Sequence, residues 1–192
     1  MSDNIPKAVS NLRLIKAFRG LATDVMNCIT ASDVNPLYIV DDELSKISRF
    51  ASDKDIIHGG FIVYNPDHHH IYLLAIDHML LDSIAGGVAD CAIFSLEDFT
   101  FIEFKTNAEG KSQASVEYTY HTAINQIENT LNIFIRHLSS VKINFLDQIE
   151  VTAHIVVSPK FPRSSTLEQQ MMIEFFDKNQ IELSFNDHKT IS

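Results

Sequence analysis

Apolar positions along this chain fall into two periods, and the change from one to the other marks its elements. Val9, Leu12, Ile15, Phe18, Ala22, Val25, Met26 and Ile29 recur at helical spacing, which predicts a helix over about 8–29, with Gly20 as a break or a close helix contact. Ser32-Asp33-Val34-Asn35-Pro36 reads as a turn. Asp41-Asp42-Glu43 then leads into Leu44, Ile47, Phe50 and Ala51. Acids in a first turn suit the helix dipole, so this stretch predicts a second helix.

The period then shortens. Phe61-Ile62-Val63-Tyr64 and Ile71 to Ile76 are strand-like runs on either side of Asn65-Pro66-Asp67 and His68-His69-His70. Adjacent strand residues point apart, so three neighbouring histidines cannot all ligate one ion, and the triplet reads as a polar hairpin tip. Two more apolar runs, Gly86 to Phe94 and Phe99 to Asn107, flank Ser95-Leu96-Glu97-Asp98 and predict a hairpin of buried strands. After the loop Asn107-Ala108-Glu109-Gly110, with Ser112 or Ser115 as cap, comes the clearest helix. Its stripe runs through Val116, Tyr120, Ala123, Ile127, Leu131, Phe134 and Leu138. A strand over 149–157, a loop over 158–165, a helix capped by Thr166 and a short strand over 181–185 complete the order.

Three charges interrupt the buried hairpin: Asp90, Glu103 and Lys105. Strand side chains alternate, so Glu103 and Lys105 share a face and Phe104 takes the other. A lone charge in a core costs several kcal/mol, roughly, unless it is paired or meets a metal. Two carboxylates suit Mg²⁺, a hard cation that keeps several waters, and a neighbouring lysine suits a water or a phosphate. Asp77-His78 and Asp82, in the preceding connection, can support such a site.

The arrangement Asp90 … Glu103-Phe104-Lys105 resembles that of the PD-(D/E)XK nuclease superfamily, with Ala89 in place of the proline before the acid. The element order resembles that superfamily too. It implies an α/β fold with a restriction-endonuclease-like core, αβββαβ, in which a mixed central sheet is flanked by helices. The core spans about 41–157 of a single domain over 1–192, with an N-terminal helix and a C-terminal αβ addition. The resemblance implies a site in which Asp90, Glu103 and the Phe104 carbonyl hold Mg²⁺, or Mn²⁺, and Lys105 positions the attacking water. It also implies a Glu on the preceding helix, for which Glu43 is the candidate and Asp42 the next, and a Gln on the long helix, here Gln126. The tyrosine that accompanies that Gln in some branches is missing, and Gln126 reads equally as a polar boundary residue.

Composition qualifies this picture. The 192 residues are 45% hydrophobic and 21% charged, an ordinary globular balance. The net charge of −10 runs against nucleic-acid binding, which rests on clustered Lys and Arg. Basic residues concentrate at Arg13, Lys16 and Arg19 and again at Lys160 and Arg163. Each group reads either as a plain solvated surface or as a phosphate contact. Cys28 and Cys91 are far apart and read as reduced core thiols. No apolar leader opens the chain and no run approaches membrane-spanning length, which points to a cytoplasmic protein. The expected function is metal-dependent cleavage of nucleic acid, DNA first, as a homodimer or within a larger complex. One alternative is an inactive nuclease-like binding or scaffold protein. Another is a buried ion network in which Lys105 only neutralises the two acids.

Overall fold

The structure is a computed structural model that describes residues 5–52, 55, 59–82, 84–108 and 110–191. Met1 to Asn4, at the start read above for a leader, and Glu109 of the expected loop lie outside the described residues.

A six-stranded sheet forms the middle layer. Its strands are β1 (Ile29–Ser32), β5 (Ile71–Ala75), β6 (Cys91–Phe94), β7 (Asp98–Lys105), β8 (Glu150–Val157) and β9 (Glu182–Ser184), adjacent in that order. β1, β5, β6 and β7 pair antiparallel, and β7, β8 and β9 pair parallel. The long helix α3 (Gln113–Ser140) makes the crossover from β7 to β8. A second sheet, of order β10-β4-β2-β3, contains β2 (Leu37–Asp42), β3 (Ile47–Ala51), β4 (Phe61–Tyr64) and β10 (His188–Thr190). The protein is therefore α/β, with mixed sheets flanked by helices.

Alternation along the central strands explains the layering. Ala92, Phe94, Phe99, Phe101, Ala153 and Ile155 pack with α3 residues such as Ile127, Leu131 and Phe134. The intervening Cys91, Ile93, Ile102, Phe104 and Val156 pack against Leu37, Ile39, Phe61 and Val63 of the second sheet. A strand covered on both sides reads as an unbroken apolar run, which is why β7 was legible. α3 begins where expected: Ser112 Oγ accepts from Ser115 N, and the Ser115 hydroxyl accepts in turn from the Ser112 N–H.

The first half of the chain departs from expectation. The single helix over 8–29 is two short helices, α1 (Lys7–Asn11) and α2 (Leu14–Ala17), then a 3₁₀ turn at Val25–Cys28 and strand β1. Arg13 (φ 52°) and Gly20 (φ 93°) adopt left-handed conformations that end each helical run. The helix expected over 41–51 is absent. Asp42 caps a tight turn instead, its Oδ1 accepting from Leu44 N and Ser45 N, and β2 and β3 pair across it. β4 and β5 are not a hairpin either: they lie in different sheets, and residues 65–70 carry the chain between layers. The last helix, Ser165–Asn179, starts after Ser164 rather than Thr166, and β10 had no expectation at all.

Candidate functional site

Asp90 immediately precedes β6, and Cys91 pairs with Ile102, so the antiparallel register sets Asp90 opposite Glu103. By strand alternation both belong to the face that carries Ala92, Phe94, Phe99 and Phe101, the side covered by α3. Lys105 follows on the same face. The two carboxylates therefore meet on one side of the sheet, at the carboxyl end of β7.

Short contacts knit the group together. The Phe104 N–H donates to Asp90 Oδ2 at 2.5 Å. Lys105 Nζ donates to Glu103 Oε1 at 2.5 Å and to Gln126 Oε1 at 2.6 Å. The other Glu103 oxygen, Oε2, is buried and has no hydrogen-bond partner among the described residues. Glu103 is 1% exposed, whereas the Lys105 side chain is 20% exposed and Gln126 is half-buried, so the site opens on the lysine side.

Burial governs the electrostatics. It pushes the Glu103 carboxyl up to about 7, against the opposing pull of Lys105. Asp90 retains some surface, yet its carboxyl lies deep enough that burial holds it well above the usual range. Repulsion from Glu103 and then Asp41 adds to that, while the Phe104 N–H and Lys105 pull the other way. Asp41, on β2, is raised as well, by burial first, with Lys46 opposing and Asp77 adding. The acids of this region thus form a strained cluster with a net demand for positive charge.

α3 supports the cluster through its neighbouring loop. Gln126 Nε2 donates to the Val88 carbonyl, Asn129 Nδ2 to the Gly87 and Ala85 carbonyls, and the Ala89 N–H donates to Thr130 Oγ1. Gly86 and Gly87 both have positive φ, and a Cβ on Gly87 would stand 3.1 Å from the Gln126 side chain. The loop before Asp90 is therefore moulded onto the helix. Asn129 and Thr130 lie three and four residues after Gln126, on one helix face, a spacing that could have flagged them. Asp41 and Asp77 had weaker signals. Asp77 N donates to the Asp90 carbonyl, and the Asp77 carboxylate lies 3.5 Å from His78 Nε2.

The remaining expected residues lie elsewhere. Glu43 sits exposed in the β2–β3 turn, because the helix meant to aim it does not form, and Asp42 is occupied by that turn and by Arg49. Arg163 makes a two-pronged contact with Glu168, 2.9 Å at each prong, and the Tyr120 hydroxyl donates to the same carboxylate at 2.6 Å. Lys160 is exposed in the loop after β8, whose last residue pairs with Lys105. Arg13 donates to the Val141 carbonyl, while Lys16 and Arg19 are exposed beside it. α2 meets α3 where Ala17 accepts from His137, eleven residues beyond Gln126 and so about 16 Å along the helix.

Among the described residues no three His, Cys, Asp or Glu side chains are grouped to hold a metal ion as they stand, and no helix is long and apolar enough to cross a membrane. No family model, curated protein or solved structure matches this chain.

Proposed function

We propose that this chain is a divalent-metal-dependent nuclease, with Asp90, Glu103 and Lys105 as its catalytic group and β5, β6, β7, α3 and β8 as a restriction-endonuclease-like core. One relationship supports the reading above all. Two carboxylates from paired strands face each other, a lysine stands two residues on, and one acid keeps a buried oxygen without a hydrogen-bond partner among the described residues.

That orphaned oxygen and the hard-oxygen donor set fit Mg²⁺, with Mn²⁺ as a substitute. Asp90, Glu103 and the Phe104 carbonyl would hold the cation, which supplies positive charge beside a phosphate and acidifies a water. Lys105 is shared between Glu103 and Gln126, so its ammonium is held at the open side of the site. There it orients a nucleophilic water or hydrogen-bonds a phosphate oxygen through Nζ. Gln126 fixes Lys105 with its carbonyl and the Asp90 loop with its amide. Exposed Lys160, at the same end of the sheet, and exposed Lys16, on α2, are among the basic side chains left to meet a nucleic-acid backbone. DNA is the preferred substrate in this reading, and with a net charge of −10 a second copy or a larger complex supplies further basic surface.

The test is cleavage of circular and linear, single- and double-stranded DNA and RNA with Mg²⁺ or Mn²⁺. Cutting that is abolished in Asp90→Asn and in Lys105→Ala, with both variants folded, supports the reading. Equal cutting by wild type and both variants defeats it.

A second reading is an inactive nuclease-like scaffold. The observation in its favour is that Lys105 already occupies one Glu103 oxygen, with no three-residue metal cluster among the described residues. Calorimetry separates the two: the nuclease binds Mg²⁺ or Mn²⁺ and loses it on Glu103→Gln, whereas the scaffold binds neither.

A further inference from the structure

A pocket of about 540 Å³ lies at the other end of the central strands, where Lys7, the histidine triplet, Tyr72 and the β6–β7 turn converge. Its Glu97 is six residues before Glu103, about 20 Å along β7, so the pocket is separate from the carboxylate site. The volume falls in the range of about 300–1,000 Å³ typical of small-ligand pockets.

The loop that presents the histidines is braced from within. Asn65 is fully buried, and its side chain bonds both polar groups of the His69 backbone: Oδ1 accepts from His69 N and Nδ2 donates to the His69 carbonyl, each at 2.9 Å. Asn65 N donates in turn to Asn35 Oδ1. The three imidazoles are thus held on a fixed backbone although their side chains are exposed. A carbonyl can only accept, so the 2.8 Å contact between His68 Nδ1 and the Asp33 carbonyl makes Nδ1 the donor. His68 then offers its Nε2 to the pocket as an acceptor when the ring is neutral. Among the described residues the side chains of His69, His70 and Lys7 have no such tie, and they offer donors to the pocket they line.

The lining also provides a flat surface and a second acceptor. Tyr72 is half-buried and stacks on Phe94, with ring centroids 5.2 Å apart, and Leu96 stands 55% exposed across the opening. Glu97 brings a carboxylate to the rim. Three histidines invite a metal reading, but no three His, Cys, Asp or Glu side chains among the described residues are grouped to hold one.

We infer that this pocket binds a mononucleotide-sized ligand, a phosphate monoester carrying a flat base. Lys7, His69 and His70 take the phosphate, Tyr72 and Leu96 take the base, and Glu97 with His68 takes sugar hydroxyls or an exocyclic amine. This assignment stands apart from the nuclease reading.

The experiment is calorimetry of the whole chain with 5′-AMP, adenosine, inorganic phosphate and Zn²⁺ in turn; chelator is present in every titration except that of Zn²⁺. The expected result is saturable AMP binding, at least tenfold tighter than adenosine or phosphate. Lys7→Gln weakens AMP by about tenfold, the loss of one charge-assisted hydrogen bond, and the double variant His69→Gln/His70→Gln weakens it by about tenfold as well, through the loss of its imidazole donors. Tyr72→Leu weakens AMP and leaves phosphate unchanged, and Glu103→Gln binds AMP like wild type. Lys7 is exposed and its change does not touch the core, so an unchanged melting temperature keeps the comparison valid. No saturable AMP binding, equal affinity in all variants, loss in Glu103→Gln, or a Zn²⁺ complex that the His69/His70 variant abolishes would each overturn the assignment.

Discussion

The backbone N–H of Phe104 donates to Asp90 Oδ2 at 2.5 Å, so the acid of one strand is bonded to the strand that carries the other acid. The bond fixes Asp90 without neutralising it. Phe104 points its ring into the second sheet's core while its amide serves the opposite layer. The two acids are held close by backbone packing against their mutual repulsion, which has consequences for stability as well as chemistry.

Asp90→Asn keeps an acceptor for the Phe104 N–H and removes a charge that burial and Glu103 both disfavour. It is expected to melt higher than wild type near pH 8, while losing metal-dependent cleavage. Thermal denaturation and a cleavage assay on the same preparation check both halves. A variant that melts lower would mean the charge is compensated in the metal-free protein.

Two buried groups make opposing contributions to the pH profile. Glu103 is raised to about 7 from an ordinary 4.5, so the fold binds its proton more tightly than the unfolded chain does. Its contribution falls as pH rises from about 4.5 to about 7, by up to roughly 3 kcal/mol. His154 is lowered to about 4 from 6.5, chiefly by burial, so its contribution falls as pH drops from 6.5 to about 4. In urea denaturation series without divalent ions, Glu103→Gln should gain stability as pH rises over 4–6.5. A His154→Gln variant should lose it over 4.5–7, with wild type flatter than either. Parallel profiles for all three would remove the electrostatic account of the site.

The Asp90 loop depends on its fit to α3. Thr130→Val strands the Ala89 N–H, which is fully buried, at a cost of about 1–3 kcal/mol. Gly87→Ala forces a left-handed alanine against Gln126 and is expected to cost about 1 kcal/mol. Both should slow cleavage further than their melting shift explains, because Gln126 and Lys105 move together. Amide exchange at Ala89 and single-turnover rates measure the two effects.

Arg163 and Lys160 share a loop and should behave differently. Arg163→Ala leaves Glu168 and Tyr120 with a buried carboxylate lacking its cation, at a cost of about 2 kcal/mol. That is less than for a fully buried pair, because the guanidinium is partly exposed. Lys160→Ala should leave stability alone and lower the salt slope of nucleic-acid binding by about one. Melting curves and binding at several salt concentrations distinguish them. A salt-slope change in Arg163→Ala of the same size would make Arg163 a phosphate contact after all.

The sequence by itself determined the chemistry of the centre: two acids and a lysine in strand-like apolar runs, and a long apolar stripe after them. Those features are local. Alternation assigns faces within a strand, and a twenty-eight-residue helix advertises its period many times over. What lay outside its reach was the second sheet. Asp41-Asp42-Glu43 suits a helix start as well as a strand end with a tight turn, and only pairing with β3 and β4 decided between them. That decision carried Glu43 out to an exposed turn and left Asp41 on β2, near enough to raise Asp90 further. The tertiary structure also tied up Arg163, divided the first helix at Arg13, and gave Gln126 a partner at each end of its amide. Such outcomes depend on contacts between residues distant in the chain, where local propensity has no say.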